Sequence, residues 1–484
     1  MTQRLAVVLC AIALSATAVA LVQWNGWTLY YGDAESHLDI ARRIVDSRTP
    51  GYDQIGTGWL PLTHALMLPF VVNDGLWRNG LAGAIPAAAS FVFAACFLFA
   101  AARRLFGSGS AAAGAVACFA MNPNLLYLQG IPMTEAVFFA AMMGVLYCTV
   151  AYRQTMSLGW AAGAGAASLC GTLTRYEGWF LVPFIAMFFL FKAPAWRPWA
   201  FLLFGSLAVL GPLYWLAHNW WYFGDPLDFY RGPYSALAIQ GGKPYPGFHD
   251  WPKAWKYFIH CTRLVAGWGI IGPALAGIGV ALWKRLWWPL ALFALLPIFY
   301  VWSLHSSGNP IFMPDLPPFS YYNTRYGLAA LPLLALCAGA CVLAAPQKFR
   351  TAVTIAIVTL SVLPWLARPY PDQWVCWKES QVNSDTRRAW THSAAAYLRA
   401  NYQPGVGIFS ALGDLAGVYR EAGIPLREVL HEGNGPAWMA AGARPDLFLH
   451  EEWAVTRGAQ PADYRTMAVI AVKGAPALTI LKRN

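Results

Sequence analysis

Apolar runs long enough to cross a lipid bilayer recur along most of this chain, and few folds can accommodate them. Eleven can be drawn, at 5–22, 80–102, 109–128, 132–151, 158–173, 176–192, 198–219, 263–283, 286–304, 326–345 and 351–366. Hydrocarbon offers backbone N–H and C=O groups no partner, so each run is expected to be a helix that satisfies its own bonds. Several are shorter than the ~20 residues a bilayer asks for, so the expected number of spans is about eleven. Hydrophobic residues make up 58% of the 484 residues and charged residues 12%, against roughly 45–50% and 25% in soluble domains. With a mean hydropathy of +0.43, this excludes a soluble enzyme built on one core and predicts an α-helical polytopic membrane protein. A net charge of +11 would suggest nucleic acid in a soluble chain. Here basic cytoplasmic loops account for it, and no nucleic-acid partner is expected.

The basic residues also set an orientation. Arg4, Arg103–Arg104, Arg153, Lys192 with Arg197, Lys284–Arg285, and Lys348 with Arg350 fall at every second junction between runs. If those junctions are cytoplasmic, the positive-inside rule is met throughout, with the N-terminus inside and the C-terminal tail outside. The expected location is a bacterial inner (plasma) membrane. The first run carries "AVA" at 18–20, which resembles a cleavage site, but it is longer than a signal-peptide core and reads as a retained span. Seven of the nine cysteines fall inside apolar runs, where Cys acts as a small hydrophobe, and no disulfide framework is expected.

Polar sequence then collects on the outer side: 23–79, the turn near 129–134, "TRYEGW" at 174–179, the loops 220–262 and 305–325, and the tail. The chain reads as a transmembrane domain over 1–366 and a small extracytoplasmic α/β domain over 367–484. In the tail, Ser384 to Asn401 has helical character, while 406–410, 445–450 and 467–472 look strand-like. The segment "WLPLTHALMLPFVVND" is short and interrupted by Pro61 and Pro69. It reads as a juxtamembrane helix near 59–73 rather than a span.

The densest polar cluster is "GDAESHLDIARRI", from Gly32 to Ile44. Ala34, Leu38, Ala41 and Val45 recur at helical spacing, and Glu35, Asp39, Arg42 and Asp46 line another face. This predicts an amphipathic interfacial helix near 34–47, with Asp33 placed where an N-cap would be. Periodicity alone leaves Asp33 open between a cap and a functional carboxylate, and makes Glu35 and Asp39 a solvated helix face.

This stretch, followed by "WLPLTHALMLPF" and "LAGAIPAAASFVFAACFLFAAARRLFG", resembles the start of the GT-C superfamily of integral-membrane glycosyltransferases. The pattern is similar to that of the lipid A aminoarabinose transferases and protein O-mannosyltransferases, whose acidic motif reads D-E-x-x-Y-x-E-I-A-R. Asp33 falls on the family's catalytic Asp, and Asp39-Ile40-Ala41-Arg42 on its E-I-A-R. Ala34 stands where the family has a second acid, and His37 where it has an aromatic. Either Glu35 supplies that acid from one position along, or it is absent. The resemblance implies a GT-C fold and transfer of a hexose or pentose from a polyprenyl-phosphate donor to an acceptor hydroxyl on the outer face, with inversion. The acceptor would be a lipid, a protein or a polysaccharide, and Asp33, seconded by Glu35, would take its proton.

A departing phosphate needs cationic donors, preferably planar ones. Arg175 and Glu177 in "TRYEGW" lie at the outer end of one run, and Arg325 with Tyr326 opens another in "NTRYGLAALP". The second resembles the Arg-Tyr-x-x-x-x-x-Pro start of a late family span. For each arginine the competing reading is an interface anchor. Glu135, in "IPMTEAVFF", is either a site residue or an acid favoured by a helix N-terminus. His37, His305 and Lys243 complete the candidates for donor phosphate or sugar, while Asp225, Arg231 and His249 in the aromatic loop are not singled out by any spacing. No cofactor is required. A divalent cation on Asp33, Glu35 and His37, with Glu135 as a further ligand, is the lesser reading because positions 33 and 35 diverge on a helix. The alternative function is a transporter or flippase for a lipid-linked sugar. Transporters commonly show repeats and mid-membrane charges, and here no repeat is visible and the charges stay at the ends of runs.

Overall fold

The computed structural model describes residues 2–191, 198–368, 373–458, 461 and 463–484. Lys192 and Arg197, one of the basic junctions, lie outside the described residues. By packing, the chain divides into two units. Unit 1 is Met1–Asn25, Thr57–Thr63 and Ile85–Glu379, and unit 2 is Gly26–Gly56, His64–Ala84 and Ser380–Asn484. The division therefore differs from a single boundary at 366: most of both juxtamembrane segments packs with the tail.

Unit 1 is helical. Every one of the eleven apolar runs contains helix, and among the described residues seven helices are long and apolar enough to cross a membrane, or up to nine if two bent pairs each count as one span. The runs at 158–173 and 176–192 form helices of 15 residues each, Leu158–Thr172 and Glu177–Phe191. One bent pair is Gly109–Ala120 with Pro123–Gln129, at 67°, where Asn122 caps the second helix by accepting from the Asn124 and Leu125 N–H groups. The other is Trp251–Ala266 with Trp268–Trp283, at 110°. Gly267 between them has φ +81°, a left-handed conformation open mainly to glycine, and it makes the corner. The expected run at 263–283 is thus two elements. Trp251–Ala266 carries Lys253, Lys256 and Arg263 on its exposed side and is amphipathic, whereas Trp268–Trp283 carries the apolar span.

Unit 2 is an α/β assembly. Its mixed sheet comprises β1 (Ile408–Phe409), β2 (Val429–Leu430), β3 (Trp453–Thr456), β4 (Tyr464–Ile470) and β5 (Leu478–Arg483), in the order β2-β1-β3-β5-β4. β1 runs parallel to β2 and β3, while β3, β5 and β4 pair antiparallel. The tail helix begins earlier than its polar sequence suggested, at Val375, and runs to Asn401. The strand-like 445–450 is instead a short helix, Pro445–Phe448, because Pro445 lacks the N–H a ladder needs and sits well in a first helical turn. Strands β2, β3 and β5 were not evident from local pattern. The juxtamembrane helices are Gly32–Arg43 and Leu62–Val71. From them Leu38, Ala41, Met67 and Val71, with Trp77, enter one core with Trp390, Leu398, Ile408, Tyr419, Val429 and Ile480 of the tail.

Candidate functional site

In unit 1 the structure brings five of the sequence-selected residues together. Glu135 opens the Glu135–Thr155 helix, and Arg175 lies in the short turn before Glu177 opens the next. Arg325 and Tyr326 sit at the start of a 3-10 helix, Thr324–Ala330. Arg175 donates from Nε to Glu177 at 2.7 Å and from Nη1 to Glu135 at 2.9 Å and Thr134 at 2.6 Å. Its Nη2 donates to the Tyr300 hydroxyl at 2.8 Å, which in turn donates to Glu177. The Arg325 guanidinium pairs with the same Glu135 oxygen at 3.1 Å, and both arginines lie over the Tyr326 ring, at 5.3 and 5.9 Å from its centroid.

These groups are buried: the side chains of Arg325, Glu135 and Glu177 are 8%, 6% and 6% exposed. Neither arginine is therefore an exposed interface anchor. Glu135 opens a helix, as its capping reading expected, and also pairs with both guanidinium groups. Two participants escaped the sequence reading. Tyr300 stands in an apolar run, where a tyrosine carries no signal of its own. Glu379 lies in the polar start of the tail helix and accepts from the Asn323 and Thr324 N–H groups, at 2.8 and 2.7 Å, and from the Thr324 hydroxyl at 2.5 Å. It thereby fixes the turn that presents Arg325, with Asn323 left-handed at φ +55°.

Unit 2 holds the acidic motif. Its helix begins at Gly32, so Tyr31 rather than Asp33 is the N-cap, and Asp33 lies in the first turn, partly exposed. The face expected to be solvated is buried instead, because the tail covers it. Glu35 forms ion pairs with Arg387 and Arg420 of the tail. Burial alone would raise its pKa, but the two guanidinium groups outweigh that and hold the carboxyl below the usual range. Asp39 accepts from Trp77 Nε1 at 3.2 Å. Burial and the neighbouring Glu35 charge push its carboxyl up to about 7, against the opposing pull of Arg420 and Trp77. Arg42 donates to Asp46 at 2.9 Å, to the Val71 carbonyl at 2.5 Å and to Asp74 at 2.5 Å. His37 and His64 meet ring nitrogen to ring nitrogen at 2.9 Å, both buried.

The other candidates have different surroundings. His305 stacks on Trp251 at 4.0 Å, Lys243 is exposed, and Asp225 and Arg231 pair with each other at 2.6 Å. Among the described residues, no group of three or more His, Cys, Asp or Glu is placed to hold a metal ion.

Bent and short apolar helices, polar clusters at their ends and a small mixed-sheet domain define a class: the chain has the fold of the GT-C membrane glycosyltransferases, as the motif at Asp33 suggested. It is similar to the crystal structure of ArnT from Cupriavidus metallidurans bound to undecaprenyl phosphate, with a TM-score of 0.58 at 16% identity over 96% of this chain and 97% of that one. The apo form of the same protein aligns with a TM-score of 0.54 at 15% identity over 96% and 97%. The family described as dolichyl-phosphate-mannose-protein mannosyltransferase matches residues 75–221, a span that includes Glu135, Arg175 and Glu177 but begins after Asp33. No curated protein matches the sequence.

Proposed function

We propose that the chain is a membrane glycosyltransferase that moves a sugar from a polyprenyl-phosphate donor to an acceptor hydroxyl on the outer face of a bacterial inner membrane, with inversion. The observation that carries this reading is the convergence of Arg175, Arg325, Glu135, Glu177 and Tyr326 at buried helix ends in a chain of this fold. Fixed guanidinium groups shielded from water are what a departing phosphate requires. Arg175 donates from all three of its nitrogens within the cluster, so its part is to hold Glu135, which orients Arg325. Arg325 is the proposed partner of the phosphate.

The chemistry needs one further group. The acceptor oxygen attacks the anomeric carbon as the bond to the phosphate oxygen breaks, polyprenyl phosphate departs, and the hydroxyl proton passes to the Asp33 carboxylate. Asp33 is assigned by its position in the motif, and its partial exposure in the first turn leaves it room for that task. Glu35, with both oxygens engaged by arginines, is better suited to holding the helix than to taking a proton.

The test offers purified protein synthetic polyprenyl-phosphate pentoses and hexoses, with a membrane extract as acceptor. Asp33→Asn is expected to lower transfer by about 10²–10⁴-fold. Arg325→Lys is expected to weaken it strongly, since a point charge does not replace a planar fork. Transfer that survives Asp33→Asn would sink the base assignment, and donor movement across the bilayer without transfer would favour a flippase.

A further inference from the structure

The tail contacts the chain on both sides of Asp33, in the segment that leads into its helix and in the helix itself. Before it, Ser384 donates its hydroxyl to the Tyr30 carbonyl, and Arg388 donates to the Leu29 carbonyl at 3.4 Å while its guanidinium lies 4.4 Å over the Tyr30 ring. After it, Glu35 is gripped by Arg387 and Arg420, whose side chains are 14% and 5% exposed. Ser384, Arg387 and Arg388 all belong to the Val375–Asn401 helix, and Arg420 to the Ala416–Ala422 helix. Arg420 is itself anchored, donating to the Arg78 carbonyl at 3.0 Å while Arg78 donates back to the Arg420 carbonyl at 3.0 Å.

The fit is close enough to exclude a methyl group. A Cβ on Gly417 would lie 2.5 Å from a Glu35 oxygen, so the carboxylate sits directly against the backbone of the Ala416–Ala422 helix. A buried ion triad of this kind is a doubtful source of net stability, because desolvation offsets the Coulomb attraction, but it is a strong geometric constraint. Losing one partner leaves a buried charge without compensation.

Resting on the reading of Asp33 as the base, we infer that Glu35, Arg387 and Arg420, with Ser384, are positioning residues: the tail sets the rotation of the Gly32–Arg43 helix and hence the aim of Asp33. The tail's first task in this scheme is to hold the base, ahead of any part in recognising the acceptor.

Two measurements on the full chain test this. Hydrogen exchange over 26–44 should quicken by about tenfold or more in Arg387→Gln and Ser384→Ala and stay unchanged in Asp33→Asn, since local opening reports local contacts. In the transfer assay with synthetic polyprenyl-phosphate sugars, Arg387→Gln should lower kcat by about tenfold or more with the donor KM within about twofold, as expected for lost alignment rather than lost binding. Unchanged exchange over 26–44, or a raised donor KM with kcat unchanged in Arg387→Gln, would overturn the latch while leaving Asp33 as base intact. Full transfer in Asp33→Asn would instead overturn the base assignment, and the latch with it.

Discussion

Asp39 and His431, both in unit 2, are buried ionisable residues whose protons pull stability in opposite directions. The Asp39 carboxyl is raised to about 7 by burial and then by Glu35, from an unfolded value of about 3.9. The folded state therefore holds its proton more tightly. Its contribution is complete below about pH 4 and is lost as pH rises through about 7. His431 is pushed down to about 3 by burial and then by Arg43 and Arg48, from an ordinary value near 6.5. The folded state favours neutral imidazole, so that contribution is complete above about pH 6.5 and is lost as pH falls toward 3. Asp39→Asn, which keeps an acceptor for Trp77, should raise the unfolding midpoint at pH 8 and change it little at pH 4. A midpoint unaffected at pH 8 would contradict the buried-acid account. Tyr300→Phe removes a hydroxyl that both accepts from Arg175 and donates to Glu177. Leaving two buried charged groups short of a partner should cost about 1–3 kcal/mol, read as a lower unfolding midpoint. The identities of Glu135, Arg175, Glu177 and Arg325 as site candidates were legible because charge at the end of an apolar run is conspicuous. Tyr300 and Asp39 were not, since an interfacial tyrosine and a helix-face acid are ordinary until their neighbours are known.

At the scale of elements, spans in a bilayer gain no hydrophobic drive toward one another, and their crossings depend on how closely backbones approach. Gly277 on the Trp268–Trp283 helix shows this: a Cβ there would lie 1.8 Å from the Cys337 carbonyl oxygen of the Leu331–Cys341 helix. Two positions along, a Cβ on Gly279 would meet nothing within 4 Å. Gly277→Ala should therefore lower the unfolding midpoint and the yield of folded protein, whereas Gly279→Ala should be neutral or mildly stabilising, as the unfolded chain loses freedom. Equal effects would mean that this crossing is looser than the geometry indicates. The apolar runs themselves were plain from hydropathy, a local property. Which run meets which, and the 110° corner at Gly267, depend on packing and on a single backbone conformation that hydropathy does not encode.

For the molecule as a whole, unit 2 makes the tail and the juxtamembrane helices one folding unit rather than an appended domain. Leu38, Met67, Val71 and Trp77 share a core with Trp390, Leu398, Tyr419 and Leu426. Removing 380–484 would expose those side chains and strip Glu35 of both arginines. The truncated chain is expected to elute as aggregate in detergent and to lose transfer, and a monodisperse, active truncation would show that the shared core is dispensable. Hydropathy was enough, by itself, to establish a polytopic helical protein, the spacing of basic residues to set an expectation of its orientation, and the motif at Asp33 to suggest its fold, because each is carried by residues close together in the chain. What only the tertiary structure decided is where charge is buried. Glu35 meets Arg387 and Arg420, and Arg175 meets Glu135 and Tyr300, from segments far apart in sequence. A helix face reads as solvated until the element that covers it is in place.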